Sequence, residues 1–389
     1  MDIQNLLERG VAEVIEKEHL QAVLKSGKKL RIKFGADPTA PDLHLGTAVA
    51  LQKLKAFQDA GHKVVFIIGD FTAKIGDPSE KSKTRPMLSE KEIKANAKTY
   101  FKQVGKILDI KKAEIRYNSE WFKKEGWAEV INLTSKFSLH RILERDDFEK
   151  RVKGELEINV HELLYPIMQA YDSVMVKADV EIGGTDQKFN MLAGRDLQRH
   201  LGLPEQDVIL LPLLVGLDGV KKMSKSYGNY IGITEKPNDM FGKIMSVPDE
   251  LIGKYYELCT DVKRAIQDPR EAKLKLGEII VGMYHGVKAG EKAKTEFIRV
   301  FSRHELPQEI DSVKMSAEGR RSISIIDLLL EFKLASSRSE ARRLIEQRGI
   351  KINNETQIDP NSSIKLEHGQ NILIQVGKRK FVRIAVTNK

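Results

Sequence analysis

Three groups of residues carry side chains whose types and spacing suit chemistry. The first is the run Gly35-Ala36-Asp37-Pro38-Thr39-Ala40-Pro41-Asp42-Leu43-His44-Leu45-Gly46-Thr47, which feeds directly into an apolar periodicity of helical spacing. A helix N-terminus presents unpaired N–H groups and a partial positive charge, so phosphate binds there readily. Gly46 lets a nucleotide approach the backbone closely, and His44 is placed to donate to a phosphate oxygen. The plainer alternative is a capping turn, with Asp42 as N-cap and His44 exposed. The second group, Lys221-Lys222-Met223-Ser224-Lys225-Ser226, lies between Gly216/Gly219 and Gly228-Asn229. Lysines on a flexible loop can close over a triphosphate and neutralise charge as pyrophosphate departs, a gain confined to the transition state. Alone, such a loop also reads as a solvated turn. The third group is Tyr165, Gln169 and Asp172, which share one helical face among the apolar Leu163, Leu164, Ile167, Met168 and Val174. Polar groups on a buried face must be bonded, either to a ligand's ammonium and hydroxyl or, as a core stripe, to neighbouring backbone.

These groups need elements to hold them. Leu30, Ile32 and Phe34 alternate as in a strand, and Ala50, Leu51, Leu54 and Phe57 recur at helical spacing. After Gly61 comes the fully apolar Val64-Val65-Phe66-Ile67-Ile68. Strand, helix and buried strand form a βαβ unit and predict a parallel sheet whose ligands sit at the strands' carboxyl ends. The theme returns with strand-like Val174 to Val176, a Gly183-Gly184 turn, a helix from about Asp186 to His200, and strand-like Val208 to Leu214. The expected class is therefore α/β, with a Rossmann-like parallel-sheet domain over residues 1–232, a small helical domain over 233–304, a polar linker over 305–321 and an α/β module over 322–389. In the last, two short helices (Ile325 to Phe332 and Arg338 to Gln347) precede Gly349 and alternating strand-like segments.

Composition narrows the class further. With 41% hydrophobic and 31% charged residues the chain can build cores, which argues against disorder. Its longest apolar runs are far shorter than the roughly 20 residues of a membrane helix. Asp2, Glu8, Glu13 and Glu16 occupy the place where a signal peptide would be basic and then apolar, so a cytoplasmic location is expected. Cys259 is the only cysteine, which rules out a disulfide framework or a thiolate zinc cluster. Net charge is +10, and Ser322 to Lys389 carries twelve Lys/Arg against seven Asp/Glu, half of that excess. A basic end module suggests nucleic acid, against the alternative of a solvated surface.

His44-Leu45-Gly46-Thr47 after a first strand, together with Lys222 to Ser226, resembles the two signatures of the class I aminoacyl-tRNA synthetases; the first departs from the family's His-x-Gly-His by ending in Thr47. Tyr165, Gln169 and Asp172, with Gly183-Gly184-Thr185-Asp186-Gln187, are similar to the tyrosine-binding signature of the tyrosyl-tRNA synthetases. The resemblance implies that Tyr165 and Gln169 hold the α-ammonium of L-tyrosine assisted by Asp77, that Asp172 accepts from the phenol, and that Asp186 and Gln187 border tyrosine and ribose. It assigns Asp37, His44, Gly46, Thr47, Gly184, Asp186, Lys222, Ser224 and Lys225 to ATP, and Lys81 and Arg85 to the departing pyrophosphate. Thr39, His44, Lys222 and Lys225 would stabilise the transition state, with Mg²⁺ arriving on the triphosphate and no protein-bound metal. Many family members carry a tyrosine where Lys33 stands, which leaves the second partner of the phenol open.

The tail Leu334 to Ile345, then Gly349 to Asn353, resembles the S4-type RNA-binding module. Arg338 and Arg342 lie one turn apart and, with Arg343, would reach the tRNA backbone; the alternative is a solvated face paired with Glu340 and Glu346. By the same resemblance tRNA(Tyr) is the partner, and an insert at about 121–160 would join two copies into a homodimer. Two rivals remain. A tryptophan-specific synthetase is disfavoured by Asp172 and the basic tail, and a catalytically inactive RNA-binding or splicing protein on the same fold is disfavoured by the intact motifs, with only Thr47 in its favour.

Overall fold

The computed structural model describes residues 3–39, 42–78, 88–263, 266–302, 306, 310–317, 320–377 and 380–387. They divide into two compact units, Met1–Gly290 and Glu291–Lys389, and the boundary falls inside the helix Val287–Ser302.

In the first unit, a six-stranded sheet is built from β1 (Glu13–Ile15), β2 (Arg31–Ala36), β3 (Lys63–Ile68), β4 (Glu114–Tyr117), β5 (Val180–Gly184) and β6 (Asp207–Leu211), in the order β1-β6-β5-β2-β3-β4. All neighbours run parallel except the edge pair β1–β6. The apolar run of β3 is buried throughout from Val64 to Ile68, as a strand covered on both faces must be. Helix Leu45–Asp59 makes the β2–β3 crossover and buries Leu45, Ala48, Leu51, Leu54 and Phe57. The chain first builds outward from β2 through β3 to β4, then returns to lay β5 on β2's other side. That reversal opens a crevice beyond the carboxyl ends of β2 and β5, the general ligand position of such sheets.

Two helices flank the crevice: Val160–Met175 and Lys188–His200, the latter reached directly from β5 through Thr185–Gln187. The strand expected at Val174 to Val176 is absent, because these residues continue the helix Val160–Met175 and its C-cap. The strand itself is Val180–Gly184, obscured in the sequence by Glu181 and two glycines. Four helices, Pro237–Met245, Ile252–Cys259, Pro269–His285 and Val287–Ser302, follow the sheet.

The second unit carries a sheet of order β10-β9-β12-β13-β7 and a two-stranded sheet β11-β8. Its strands are β7 (Asp311–Ser316), β8 (Ser322–Ser324), β9 (Ile350–Ile352), β10 (Glu355–Thr356), β11 (Ser363–Lys365), β12 (Asn371–Val376) and β13 (Lys380–Thr387). Helices Ile325–Glu331 and Arg338–Glu346 pack on a core that includes Leu328, Ile345, Ile350, Ile372 and Ile384. The stretch read as linker thus contains β7, which pairs in parallel with β13 some seventy positions later, from Asp311↔Val382 to Ser316↔Thr387. A six-residue strand among polar residues leaves little local signal when its partner is that remote.

Candidate active site

A cleft of about 370 Å³ opens at the carboxyl ends of β2, β5 and β6. It brings together Asp37, Thr39, His44, Gly46, Thr47, Asp77, Tyr165, Gln169, Asp172, Gly184, Asp186, Gln187, Lys222 and Ser224, each a candidate from the sequence. Lys225 does not line it; its ammonium lies 3.3 Å from Asp42. Lys81 and Arg85 fall outside the described residues.

The N-cap of helix Leu45–Asp59 is His44 and not Asp42, and the His44 side chain makes no capping bond. His44 Nδ1 is buried and has no hydrogen-bond partner among the described residues. Burial, then the charges of Lys225 and Lys222, hold its pKa down to about 4, so the imidazole is neutral at pH 7. A neutral imidazole keeps one N–H to donate. A Cβ at Gly46 would lie 3.1 Å from His44 Nδ1, so a larger residue there would displace the imidazole by a few tenths of an ångström. Across the cleft Lys222 Nζ lies 2.8 Å from Asp186 Oδ2.

The floor is a continuous polar network. Asp172 accepts from Trp121 Nε1 at 2.9 Å and from Asn118 Nδ2 at 3.4 Å. Asn118 also donates to Thr72 Oγ1 (2.9 Å), Thr72 to Asp37 Oδ1 (2.7 Å), and the Tyr165 hydroxyl to Asp37 Oδ2 (3.0 Å). A Cβ on Gly69 would collide with Asp37 Oδ1 and Thr72 Oγ1, so the network requires glycine at that position. Burial drives the Asp172 carboxyl up to about 7, against the opposing pull of Lys33, Trp121 and Asn118. Burial, with Asp37 and Asp77 nearby, raises the Tyr165 phenol well above its ordinary range, so it stays a neutral donor.

Lys33 is wholly buried beneath the helix Val160–Met175. Its ammonium bonds Glu181 Oε1 (2.8 Å), Ser173 Oγ (2.6 Å) and the Gln169 carbonyl (3.0 Å). Those three contacts use all three ammonium donors, so Lys33 has none left for a bound phenol. Beside it, Gln169 donates to Glu181 (3.2 Å) and accepts from Asn190 (3.0 Å), while Gln187 donates to Asp77 (2.6 Å).

Sequence reading did not single out Trp121, Asn118, Thr72, Glu181, Arg145 or Asn190. For one pair a signal existed: Lys33 and Glu181 are opposite charges, each flanked by apolar residues (Ile32 and Phe34, Val180 and Ile182) in neighbouring strands, facing each other in register.

In the second unit, Arg338, Arg342 and Arg343 line one concavity with Ser324, Asp327 and Asn361. Ser337 caps the helix by accepting from Glu340 N at 3.2 Å. Arg338 pairs with Asp327 at 2.6 Å, not with Glu340.

Comparison with known proteins decides the family. The family model described as tRNA synthetases class I (W and Y) matches residues 25–302, and the Tyrosine–tRNA ligase SYY-like C-terminal domain matches residues 304–384. The chain belongs to the class I tRNA synthetases. It is 49% identical to the tyrosine–tRNA ligase of Dehalococcoides mccartyi over 97% of both chains. It is equally identical to that of Moorella thermoacetica, over 97% of this chain and 94% of the relative. Among solved structures, the tyrosyl-tRNA synthetase of Archaeoglobus fulgidus complexed with L-tyrosine has the same synthetase fold at 24% identity, with a TM-score of 0.61 over 75% of this chain and 98% of that one. In this synthetase residues of both family signatures, His44, Gly46 and Thr47 of the first and Lys222, Met223 and Ser224 of the second, line one cleft.

Proposed function

We propose that this cleft activates L-tyrosine with ATP to tyrosyl-adenylate and pyrophosphate, and that the protein then transfers tyrosine to the 3′ end of tRNA(Tyr). The observation that carries the reading is Asp172, a carboxylate at the buried floor of the cleft, held by Trp121 and Asn118. Tyrosine seated with its phenol there supplies a donor to an acceptor, whereas phenylalanine leaves a buried acceptor unpaired. The rim holds Asp77, Gln169, Gln187 and Tyr165, which suit the α-ammonium.

ATP occupies the other half of this site, bounded by Asp37, Gly46, Thr47, Gly184, Asp186 and Ser224, with Mg²⁺ travelling on the triphosphate as part of the substrate. The tyrosine carboxylate attacks the α-phosphorus in line and pyrophosphate leaves. The terminal ribose hydroxyl of the tRNA then attacks the adenylate's carbonyl and AMP leaves. No side chain becomes covalently attached. Catalysis is positioning plus charge stabilisation by Thr39, neutral His44, Lys222 and Lys225, with Lys81 and Arg85 receiving the pyrophosphate. Lys222 exchanges Asp186 for phosphate oxygens when ATP enters.

Arg338, Arg342 and Arg343 grip the tRNA backbone. Trp127, Ile131, Leu139 and Val160 are more than half exposed within the insert, an apolar set that suits the contact between two copies in a cytoplasmic homodimer. Residues 1–232 serve activation, residues 233–304 lie on the anticodon side and residues 322–389 bind RNA.

Tyrosine-dependent ATP–pyrophosphate exchange, with phenylalanine and tryptophan in parallel, tests the reading. Exchange with tyrosine alone is expected. Silence with all three would leave a non-catalytic RNA-binding protein on this fold.

A further inference from the structure

Arg145 lies in the insert, between the helices Leu139–Leu143 and Asp146–Lys153, and only 5% of it is exposed. Its guanidinium donates to Asp77 Oδ1 (3.2 Å), to both oxygens of Asp147 (2.6 and 3.2 Å) and to Asn190 Oδ1 (3.1 Å). Its Cζ sits over the Phe148 ring, 5.1 Å from the centroid. Asp77 accepts on its other oxygen from Gln187, and Asn190 donates to both Gln187 Oε1 and Gln169 Oε1 at 3.0 Å. Three of the four groups that face the ammonium position are therefore tied, directly or through Asn190, to one guanidinium.

A cation this close to an ammonium subsite would repel the substrate if it stood alone. Asp77 and Asp147 together outweigh Arg145 by one negative charge, the charge an incoming ammonium neutralises. A fork of rigid geometry also orients carboxylates in a way that a point charge does not.

We propose that Arg145 is a positioning residue for the substrate's α-ammonium: with Asp147 as its counter-ion it sets the orientation of Asp77 and, through Asn190, of Gln169 and Gln187. Arg145 does not touch the substrate; it fixes the acceptors that do. This rests on the reading of the cleft as a tyrosine-activating site.

The test compares the full-length protein with Arg145→Met, Arg145→Lys and Asp147→Asn in pyrophosphate exchange. Inhibition is measured with tyramine, which keeps phenol and ammonium, and with tyrosol, which replaces the ammonium by a hydroxyl. For Arg145→Met the expected result is a rise of roughly 10- to 100-fold in the KM for tyrosine and in the inhibition constant of tyramine, with the KM for ATP and inhibition by tyrosol changed less than about twofold. Arg145→Lys recovers part of the loss, and Asp147→Asn shifts the same two constants in the same direction. Equal weakening of tyramine and tyrosol, a parallel rise in the KM for ATP, or no change would overturn the proposal. Should Arg145→Met fail to fold, Arg145→Lys and Asp147→Asn are judged by the same contrast. A parent protein that fails to exchange with tyrosine overturns the underlying reading instead, and shows itself before any variant is made.

Discussion

The indole N–H of Trp121 points into the carboxylate of Asp172 at 2.9 Å, joining the start of the insert to the floor of the cleft. Trp121→Phe removes that donor and lets burial push the Asp172 carboxyl further up, by roughly one pH unit. A protonated carboxyl offers a donor where the phenol needs an acceptor, so the KM for tyrosine should rise as pH falls. Pyrophosphate exchange measured across pH should place the midpoint of that rise higher in the variant than in the parent. Coincident profiles would refute the link.

Asp172 also governs stability. Its folded pKa of about 7 stands above the ordinary 3.8, so the native state holds a proton that the unfolded state releases, and stability falls as pH climbs between the two values. Asp172→Asn abolishes the titration. By calorimetry, the Tm of the variant minus that of the parent should become more positive from about pH 4 to about pH 8. A constant difference would be inconsistent with a carboxyl that titrates in this range.

Because His44 is neutral above about pH 5, the exchange rate should show no ionisation of this group near its ordinary 6.5. His44→Ala should lower kcat by roughly 100-fold, the scale of losing one preorganised donor to developing charge. An inflection near neutral pH that disappears in the variant would show that the imidazolium is the working form.

Lys33→Met leaves Glu181 charged and unpaired in the interior, and denaturant unfolding should show a loss of roughly 3 to 5 kcal/mol. Adding Glu181→Gln should restore a large part of it, since the second change removes the stranded charge. If the double variant is no more stable than the single one, the pair is not the source of the loss.

Arg342→Ala should weaken tRNA binding and reduce the slope of log affinity against log salt by about one, as expected for one lost phosphate contact. Tyrosine-dependent pyrophosphate exchange, which needs no tRNA, should be unchanged. An unaltered salt slope would remove Arg342 from the RNA interface.

The sequence made legible whatever is local or periodic. The apolar run of β3, the helical spacing from Ala50 to Phe57, and the single face shared by Tyr165, Gln169 and Asp172 each follow from neighbours in the chain, and the structure brings Tyr165, Gln169 and Asp172 into one cleft. What stayed hidden depends on distant partners. Trp121 meets Asp172 across 51 positions and Lys33 meets Glu181 across 148, and neither pairing leaves a trace in periodicity. Val174 to Val176 has β-type residues, but the helix it extends packs against its neighbours and overrides that preference. Arg145, charged and amid a charged stretch, resembles a surface residue until its bonds to Asp77, Asp147 and Asn190 are seen.

Strand β1 has a consequence for synthesis on the ribosome. Val14 pairs with Ile209, so the edge of the sheet is completed by a segment made almost two hundred residues later. At roughly 5 to 20 residues per second, Val14 is added to the chain some 10 to 40 seconds before its partner exists. During that interval β1 is an orphan strand. Being only three residues long and beginning with Glu13, it offers little to a neighbouring nascent chain.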